Sequence, residues 1–362
     1  MKSRERIISA LLGRKTDRAP YTSGMGMWGE TLERWRNESG NPNLNIHEYF
    51  GFDEGFNYVS DGCGLRLGIN PWFEHKVIEE KERTIIYRDI YGIIREDSKL
   101  RSTIPNYLEY PVKDWESWKR FKEERLNFNY PKRIPDNIQE LADNFNSGGY
   151  FTILGSYPYG LFGTCREFMG VEDLLIAFIE QPELIADVMN YLTDLWLSVY
   201  SKAVKYIKFD MIHMWEDMSG KQGSLISPKM VSDFMLPNYK RISDFCVKNN
   251  IEVFSVDTDG RVDELVPLFM SAGVNFVFPF EVAAGSDILE FRKQYPELAI
   301  MGGIDKRELA KSKKEIDAQI KLIEEMLKYG RYIPCLDHHA HPEISWENYC
   351  YYGNCLKEVT GA

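Results

Sequence analysis

From about residue 150 onward, short apolar runs alternate with long stretches whose apolar residues recur every three or four positions. Tyr150-Phe151-Thr152-Ile153-Leu154, ending at Gly155, has the length and composition of a strand entering a loop. Leu184, Ile185, Val188, Met189, Leu192, Leu195, Trp196, Val199, Tyr200 and Ala203 then predict one long amphipathic helix with Pro182 near its start. The same reading predicts a strand from Asp210 to Trp215 and a helix from Ser227-Pro228 through Cys246. Next come a strand from Glu252 to Val256 and a helix from about Val262 to Ser271, closed by Gly273. Asn275 to Phe280 is a strand, Asp287 to Gln294 a helix, and Leu298 to Met301 a strand ending at Gly302-Gly303. Ser312 and Glu315 make a capping box for a helix striped by Ile316, Ile320, Ile323 and Leu327 and ended by Gly330. Tyr332-Ile333 is the last strand, and Ser345 to Val359 a closing helix. This repetition implies a parallel sheet, either closed as a barrel or open and doubly wound.

The first 150 residues show less order. Arg4 to Leu12 reads as a helix, Ile85 to Asp89 and Gly92 to Arg95 as a hairpin around Tyr91-Gly92, and Lys119 to Arg125 as a solvated surface. No linker, low-complexity segment or repeat interrupts the chain, so one domain over 1–362 is expected. Residues 1–150 would form an N-terminal elaboration with the first barrel elements, and 150–362 the main βα repeats.

Composition narrows the function classes. A net charge of −11 argues against nucleic acid or an anionic membrane as partner. No apolar run reaches the roughly 20 residues of a membrane span, and the charged start Met1 to Arg6 reads as the entry to an amphipathic helix rather than a signal peptide. The six cysteines form no CxxC pair, which suggests free thiols and a cytoplasmic location. Trp28, Trp35, Phe50, Phe52, Trp72, Phe73, Trp115 and Trp118 could line a pocket for a flat ligand, though core and lid packing is the plainer use. No GxGxxG or P-loop is present, so the commonest nucleotide-binding versions of the open sheet drop out.

The chemistry concentrates at strand ends. His213-Met214-Trp215-Glu216-Asp217, Ser255-Val256-Asp257-Thr258-Asp259-Gly260, Pro279-Phe280-Glu281 and Cys335-Leu336-Asp337-His338 each close a predicted strand with polar groups. His338, His339 and His341 are half of all the histidines. In a parallel barrel these ends share one rim, where catalytic groups gather. Carboxylates desolvated together need a cation, an arginine or shared protons, and a divalent metal is one compensator. Each also has a structural use: Asp259-Gly260 as a helix cap, Glu216 and Asp217 as binders of loop amides, Cys335 as a small buried hydrophobe, and the histidines as plain loop residues.

The chain resembles the uroporphyrinogen decarboxylase superfamily, which holds both the haem-pathway decarboxylase and cobalamin-dependent (corrinoid) methyltransferases. The resemblance rests on the first helix through Gly13 with Asp17-Arg18-Ala19-Pro20 after it, Ser227-Pro228-Lys229-Met230 through Leu236-Pro237, Gly302-Gly303-Ile304-Asp305, Gly330-Arg331-Tyr332-Ile333 and Glu347-Asn348-Tyr349. It implies an α/β fold of the (β/α)8 TIM-barrel kind with its site at the C-terminal rim. The family's middle-strand aspartate falls on Asp217 or Glu216, and its C-terminal histidine on His338, which makes these three the expected catalytic residues. Trp28, His213, Arg166 and Asp337 are the expected substrate-binding residues.

Two departures bear on the subgroup. The decarboxylase grips its substrate with an arginine-rich loop, but the equivalent stretch, Thr22 to Glu30, has no arginine. Arg34 and Arg36 lie only on the next segment. The zinc methyltransferases carry His-x-Cys where this chain has Ser255-Val256-Asp257, although their last cysteine falls close to Cys335. An oxygen-rich or mixed zinc site is therefore expected, with Asp257, Glu281 and Cys335 as ligands beside Glu216 or His338. Zinc there would act as a Lewis acid on a small methylated substrate or a folate-like carrier, and a corrinoid protein would be the partner that takes the methyl group. The alternatives are a cofactor-independent decarboxylase of a small carboxylated substrate, with Asp217 or Asp257 and His338 handling protons, and a non-catalytic binding barrel.

Overall fold

The computed structural model describes residues 1–54, 56–58, 64–100, 105–129, 132–149 and 151–362. Its centre is a curled sheet of seven parallel strands. In chain order the strands of the whole molecule are β1 (Phe56–Tyr58), β2 (Lys76–Glu80), β3 (Thr84–Arg88), β4 (Ile94–Ser98), β5 (Asn106–Glu109), β6 (Phe151–Leu154), β7 (Met211–Trp215), β8 (Ser219–Gly220), β9 (Gly223–Ser224), β10 (Val253–Asp257), β11 (Phe276–Phe280), β12 (Ala299–Ile304) and β13 (Tyr332–Leu336). The parallel sheet runs β1-β6-β7-β10-β11-β12-β13. The stretch from Tyr21 to Met27 bridges its two edges. The Tyr21 carbonyl accepts from Asp53 N just before β1, and Met27 makes a parallel bridge to Ala340 beyond β13. The result is a TIM-barrel-like α/β fold.

Strand alternation sorts the apolar residues into two layers. Phe151, Ile153, Met211, Val253, Phe276, Phe278, Ala299, Met301, Ile333 and Cys335 pack together inside the barrel, where Ile7 and Leu11 of the first helix join them at the N-terminal end. Leu154, Ile212, Met214, Phe254, Val256, Val277, Phe280, Ile300 and Leu336 face the other way and meet the surrounding helices. The inward register continues into His213, Ser255 and Asp257, so that polar groups replace apolar ones only at the C-terminal end.

Most elements follow the sequence pattern. The long helix spans Pro182–Ala203, the capping box at Ser312 and Glu315 is made, and Asp287 and Ser345 cap their helices. Three expectations need correction. β12 does not stop at Gly302-Gly303 but runs through them to Ile304. A side chain at Gly302 would meet Phe280 N at 2.7 Å, so the two strands approach more closely there than a Cβ permits. The helix expected from Val262 begins only at Val266, after a turn. The helix from Pro228 passes through a π turn at Val231–Met235 just before Pro237, which has no N–H to donate.

The N-terminal third adds helices and a four-stranded antiparallel sheet, β2-β3-β4-β5, of which the expected hairpin is the centre. Ion pairs hold the first helix and the segment after it in place. Arg6 and Arg18 both bind Asp53, Arg6 also binds Asp17, and Arg4 binds Asp210. Of the early aromatics, Trp35 and Trp118 are core, while Trp28, Trp72 and Trp115 are exposed.

Candidate active site

A cavity of about 820 Å³ opens at the C-terminal ends of the parallel strands. The barrel supplies His213, Trp215, Asp257, Phe278 and Met301, and the loops after the strands supply Ser156, Tyr157, Asp217, Asp259, His338 and His339. Thr22, Ser23, Gly24, Met25 and His47 close it from the N-terminal side. Three carboxyl groups, Asp217, Asp257 and Asp259, thus face a space in whose described lining no lysine or arginine takes part.

Register explains the centre. Trp215, Asp257 and Phe278 are direct neighbours across β7, β10 and β11, two residues further along their strands than His213 and Ser255. The His213 ring stacks on Phe278 with centroids 4.9 Å apart, and its Nδ1 lies 2.9 Å from Ser255 Oγ. The Ser255 hydroxyl also lies 3.3 Å from the Ile212 carbonyl oxygen, and its single proton serves either that oxygen or Nδ1. His213 Nε2 lies 3.9 Å from Asp257 Oδ2. Burial holds the imidazole neutral by pushing its pKa down to about 3. Asp257 is only 7% exposed, and no donor among the described residues hydrogen-bonds its carboxyl oxygens. Its pKa lies well above the ordinary carboxyl value, through burial first and then the charges of Asp259, Asp217 and Glu216.

Adjacent residues diverge at the end of β7. Glu216 faces outward and is fully buried. Its carboxyl accepts from the amides of Leu161, Phe162 and Gly163, at 2.9, 2.6 and 3.1 Å, and from the Tyr239 hydroxyl at 2.5 Å. It therefore anchors the N-terminus of the helix Leu161–Met169 rather than facing substrate. Burial raises its pKa to about 7 against those four donors. Asp217, in the left-handed region at φ 42°, turns back into the cavity. Arg166, from that same helix, binds the Asp217 carboxylate and carbonyl, and its guanidinium lies 5.5 Å over the Trp215 ring. Burial raises the Asp217 pKa, and the Arg166 charge opposes it.

His338 accepts the His339 amide at Nδ1, 2.8 Å away, which leaves its proton on Nε2, 3.5 Å from Asp259 Oδ2. This pair can hold or deliver a proton at the rim. His339 lies beside it with its pKa lowered by burial and by the neighbouring His338.

The other expected residues are placed elsewhere. Trp28 is half exposed and outside the cavity lining. Asp337 is fully buried below the rim, where it accepts from the amides of Lys306 and Ala283, and burial raises its pKa to about 6. Glu281 receives the Gly260 amide at 2.9 Å and lies 3.8 Å from Lys306 Nζ. Cys335 sits in the barrel's apolar interior beneath Gly24, where an added Cβ would come within 2.6 Å of its sulfur. Burial raises its thiol pKa and keeps it protonated. The expected zinc ligands Asp257, Glu281 and Cys335 are thus not gathered into one donor set. Among the described residues no group of three or more His, Cys, Asp or Glu side chains has the spacing to hold a metal ion. A zinc site built on a thiolate does not fit this arrangement.

Thr22, Ser23 and Met25 come from the stretch matched to the decarboxylase's substrate-gripping loop, whereas His47, Ser156, Tyr157 and Met301 lay outside the sequence expectation. Cys63, counted among the thiols, and Tyr150, at the start of an expected strand, fall outside the described residues. No helix among the described residues is long and apolar enough to cross a membrane.

The profile of the family described as "Uroporphyrinogen decarboxylase (URO-D)" matches residues 111–359. No curated protein matches the sequence. Among solved structures, the fold is similar to that of a methyltransferase from Methanosarcina mazei, at 15% identity and a TM-score of 0.58, with 99% of each chain covered.

Proposed function

The chain belongs to the uroporphyrinogen decarboxylase family, and from that premise we propose that it is an enzyme of methyl transfer rather than of porphyrinogen decarboxylation. The observation that carries the reading is the cavity lining, with its three carboxyl groups and no lysine or arginine among the described residues. A substrate with eight carboxylates would have to shed its hydration against Asp217, Asp257 and Asp259. Each buried charge left unpaired costs several kcal/mol. The Thr22–Met25 segment, where the decarboxylase would carry its arginine grip, instead offers hydroxyls, a glycine and a methionine.

A small methylated compound suits the space better. Phe278, Trp215, Tyr157, Met25 and Met301 give it apolar walls, and Asp217, Asp257 and Asp259 supply its carboxyl groups. The division of labour follows from the geometry. Asp257 and Asp217 hold the substrate's polar or charged group, the His338–Asp259 pair manages any proton, and Glu216 keeps the Arg166 helix in place. The acceptor in this proposal is a reduced corrinoid carried by a partner protein. Its entry would be from the rim, the open end of the cavity.

The test is to incubate the purified protein with free reduced cobalamin under anaerobic conditions and a panel of methyl ethers, thioethers and methylated ammonium compounds. Methylcobalamin formation is followed by absorbance. Transfer from at least one donor is expected, together with no coproporphyrinogen from uroporphyrinogen. Decarboxylation at about 1 per second or faster would overturn the reading.

A further inference from the structure

We propose that this cavity selects a cation: its substrate class is a methylated ammonium compound, held by Asp257 and the aromatic walls. The inference rests on the methyl-transfer reading and names the donor for it.

The first observation is the state of Asp257. Its side chain is nine-tenths buried, it lines the cavity, and no donor among the described residues hydrogen-bonds its oxygens. A buried carboxyl without a donor is destabilising in the empty protein unless something that visits the site completes it. The neighbouring His213 keeps its Nε2 3.9 Å from the Asp257 oxygen, too far for a hydrogen bond. The missing partner must therefore bring positive charge or protons.

Aromatic geometry is the second observation. Tyr157 meets the Trp215 ring edge-on with centroids 4.6 Å apart, and Phe278 stands one strand from Asp257. His213 and Phe276 stack on Phe278 and Arg166 lies over Trp215, so the exposed Tyr157 ring is the aromatic surface beside the carboxyl groups; a methylated ammonium, its charge spread over poorly hydrated methyl groups, suits that pairing. An anionic substrate would find no lysine or arginine in the described lining, and a neutral ether would leave Asp257 as it is.

Leaving-group chemistry agrees. In a quaternary ammonium the breaking C–N bond returns its electron pair to nitrogen, and a neutral tertiary amine departs with no proton consumed. A reduced corrinoid on a partner protein would supply the electron pair of the new bond to the methyl carbon, being oxidised by two electrons as it did so. A charged nitrogen is thus already an adequate leaving group. That relieves a site whose Cys335, Glu281 and Asp257 do not assemble around a Lewis acid.

The experiment is calorimetric titration of the full chain with choline and with its neutral carbon isostere, 3,3-dimethylbutan-1-ol. Choline is expected to bind at least about tenfold more tightly, as an ion pair plus ring contacts would give. Asp257→Asn should bring the two within about threefold. Circular dichroism and thermal unfolding check that the variant folds, and Asp217→Asn serves as a second variant with a smaller expected loss, because Arg166 already pairs with that group. Equal binding of the two probes by wild-type protein, or tighter binding of the alcohol, overturns the proposal. The methyl-transfer assay separates the two claims. Transfer from neutral ethers without choline preference would leave methyl transfer standing and remove the cation. Choline preference without transfer from any ammonium donor would do the reverse.

Discussion

Replacing Gly163 with alanine tests how the rim is built. Gly163 lies in the first turn of the helix Leu161–Met169, directly against the end of β7. A methyl group there would lie 2.1 Å from the Trp215 carbonyl oxygen and 2.6 Å from its ring. Ordinary contacts begin near 3.5 Å, so helix and strand must part by about 1 Å. The Glu216 bonds to Phe162 and Gly163, now 2.6 and 3.1 Å, would then stretch to the limit of useful hydrogen bonding or beyond it. Charge-assisted bonds of this kind contribute about 1.5–3 kcal/mol each, so losing two costs about 3–6 kcal/mol. Alanine recovers about 1 kcal/mol of helix propensity over glycine. The expected net loss is about 2–5 kcal/mol, read from the urea midpoint at an unchanged slope. Gly29→Ala is the control, since its added methyl meets nothing within 4 Å, and it should be at least as stable as wild type, with a gain of up to about 1 kcal/mol from helix propensity. Wild-type stability in Gly163→Ala would refute the close packing of helix on strand and the anchoring role of Glu216 with it.

Other consequences can be checked in parallel. Burial and neighbouring acids raise the folded-state pKa of Asp257 above its unfolded value. Its contribution to stability is thus present below the ordinary carboxyl pKa near 4 and lost as pH rises. Asp257→Asn removes that loss, so the variant should gain stability over wild type as pH goes from about 5 to 8; a variant less stable than wild type at pH 8 would contradict this. For the same reason, choline affinity should rise with pH over that range, because the cation needs the ionised carboxyl, which faces Glu216, Asp217, Asp259 and His213; affinity falling with pH would contradict it. Thiol labelling of the native protein, mapped by peptide mass, should mark the half-buried Cys350 and Cys355 well before Cys165, Cys246 and Cys335, which are buried. Fast labelling of Cys335 would reopen the case for a thiolate ligand there.

How much of this was legible in the chain follows from strand alternation. The apolar runs of β6, β7, β10, β11 and β13 mark themselves, and with them the strand ends bearing His213, Asp217, Asp257 and His338. A period of two also orients the side chains. His213, Ser255 and Asp257 continue the inward face, while Glu216 falls on the outward one. What the pattern hides is the turn after the strand. Asp217 returns to the cavity only through a left-handed backbone at a non-glycine residue, which composition does not announce. Asp337 has the inward parity, yet amides from two neighbouring loops draw it below the rim. Cys335 is inward as well, but Gly24 covers it, a contact between residues more than 300 positions apart. The wall from Thr22 to Met25 is marked only by the family resemblance, not by a pattern of its own. It is an irregular stretch whose place between β13 and β1 is set by Asp53 and Ala340 rather than by any local periodicity.

The central claim is that a cavity built around Asp257 presents a methylated cation for methyl transfer. Initial rates of methylcobalamin formation from choline and other methylated ammonium donors, for wild type and Asp257→Asn under identical acceptor concentration, test it most directly. The cation loses its charge as the C–N bond breaks, so Asp257 stabilises the bound substrate at least as much as the transition state. The account therefore predicts transfer by wild type, and in the variant a kcat/KM lower by about tenfold or more, with the loss in KM and kcat kept. No transfer by wild type from any ammonium donor, or an unchanged KM in a folded variant, would contradict it.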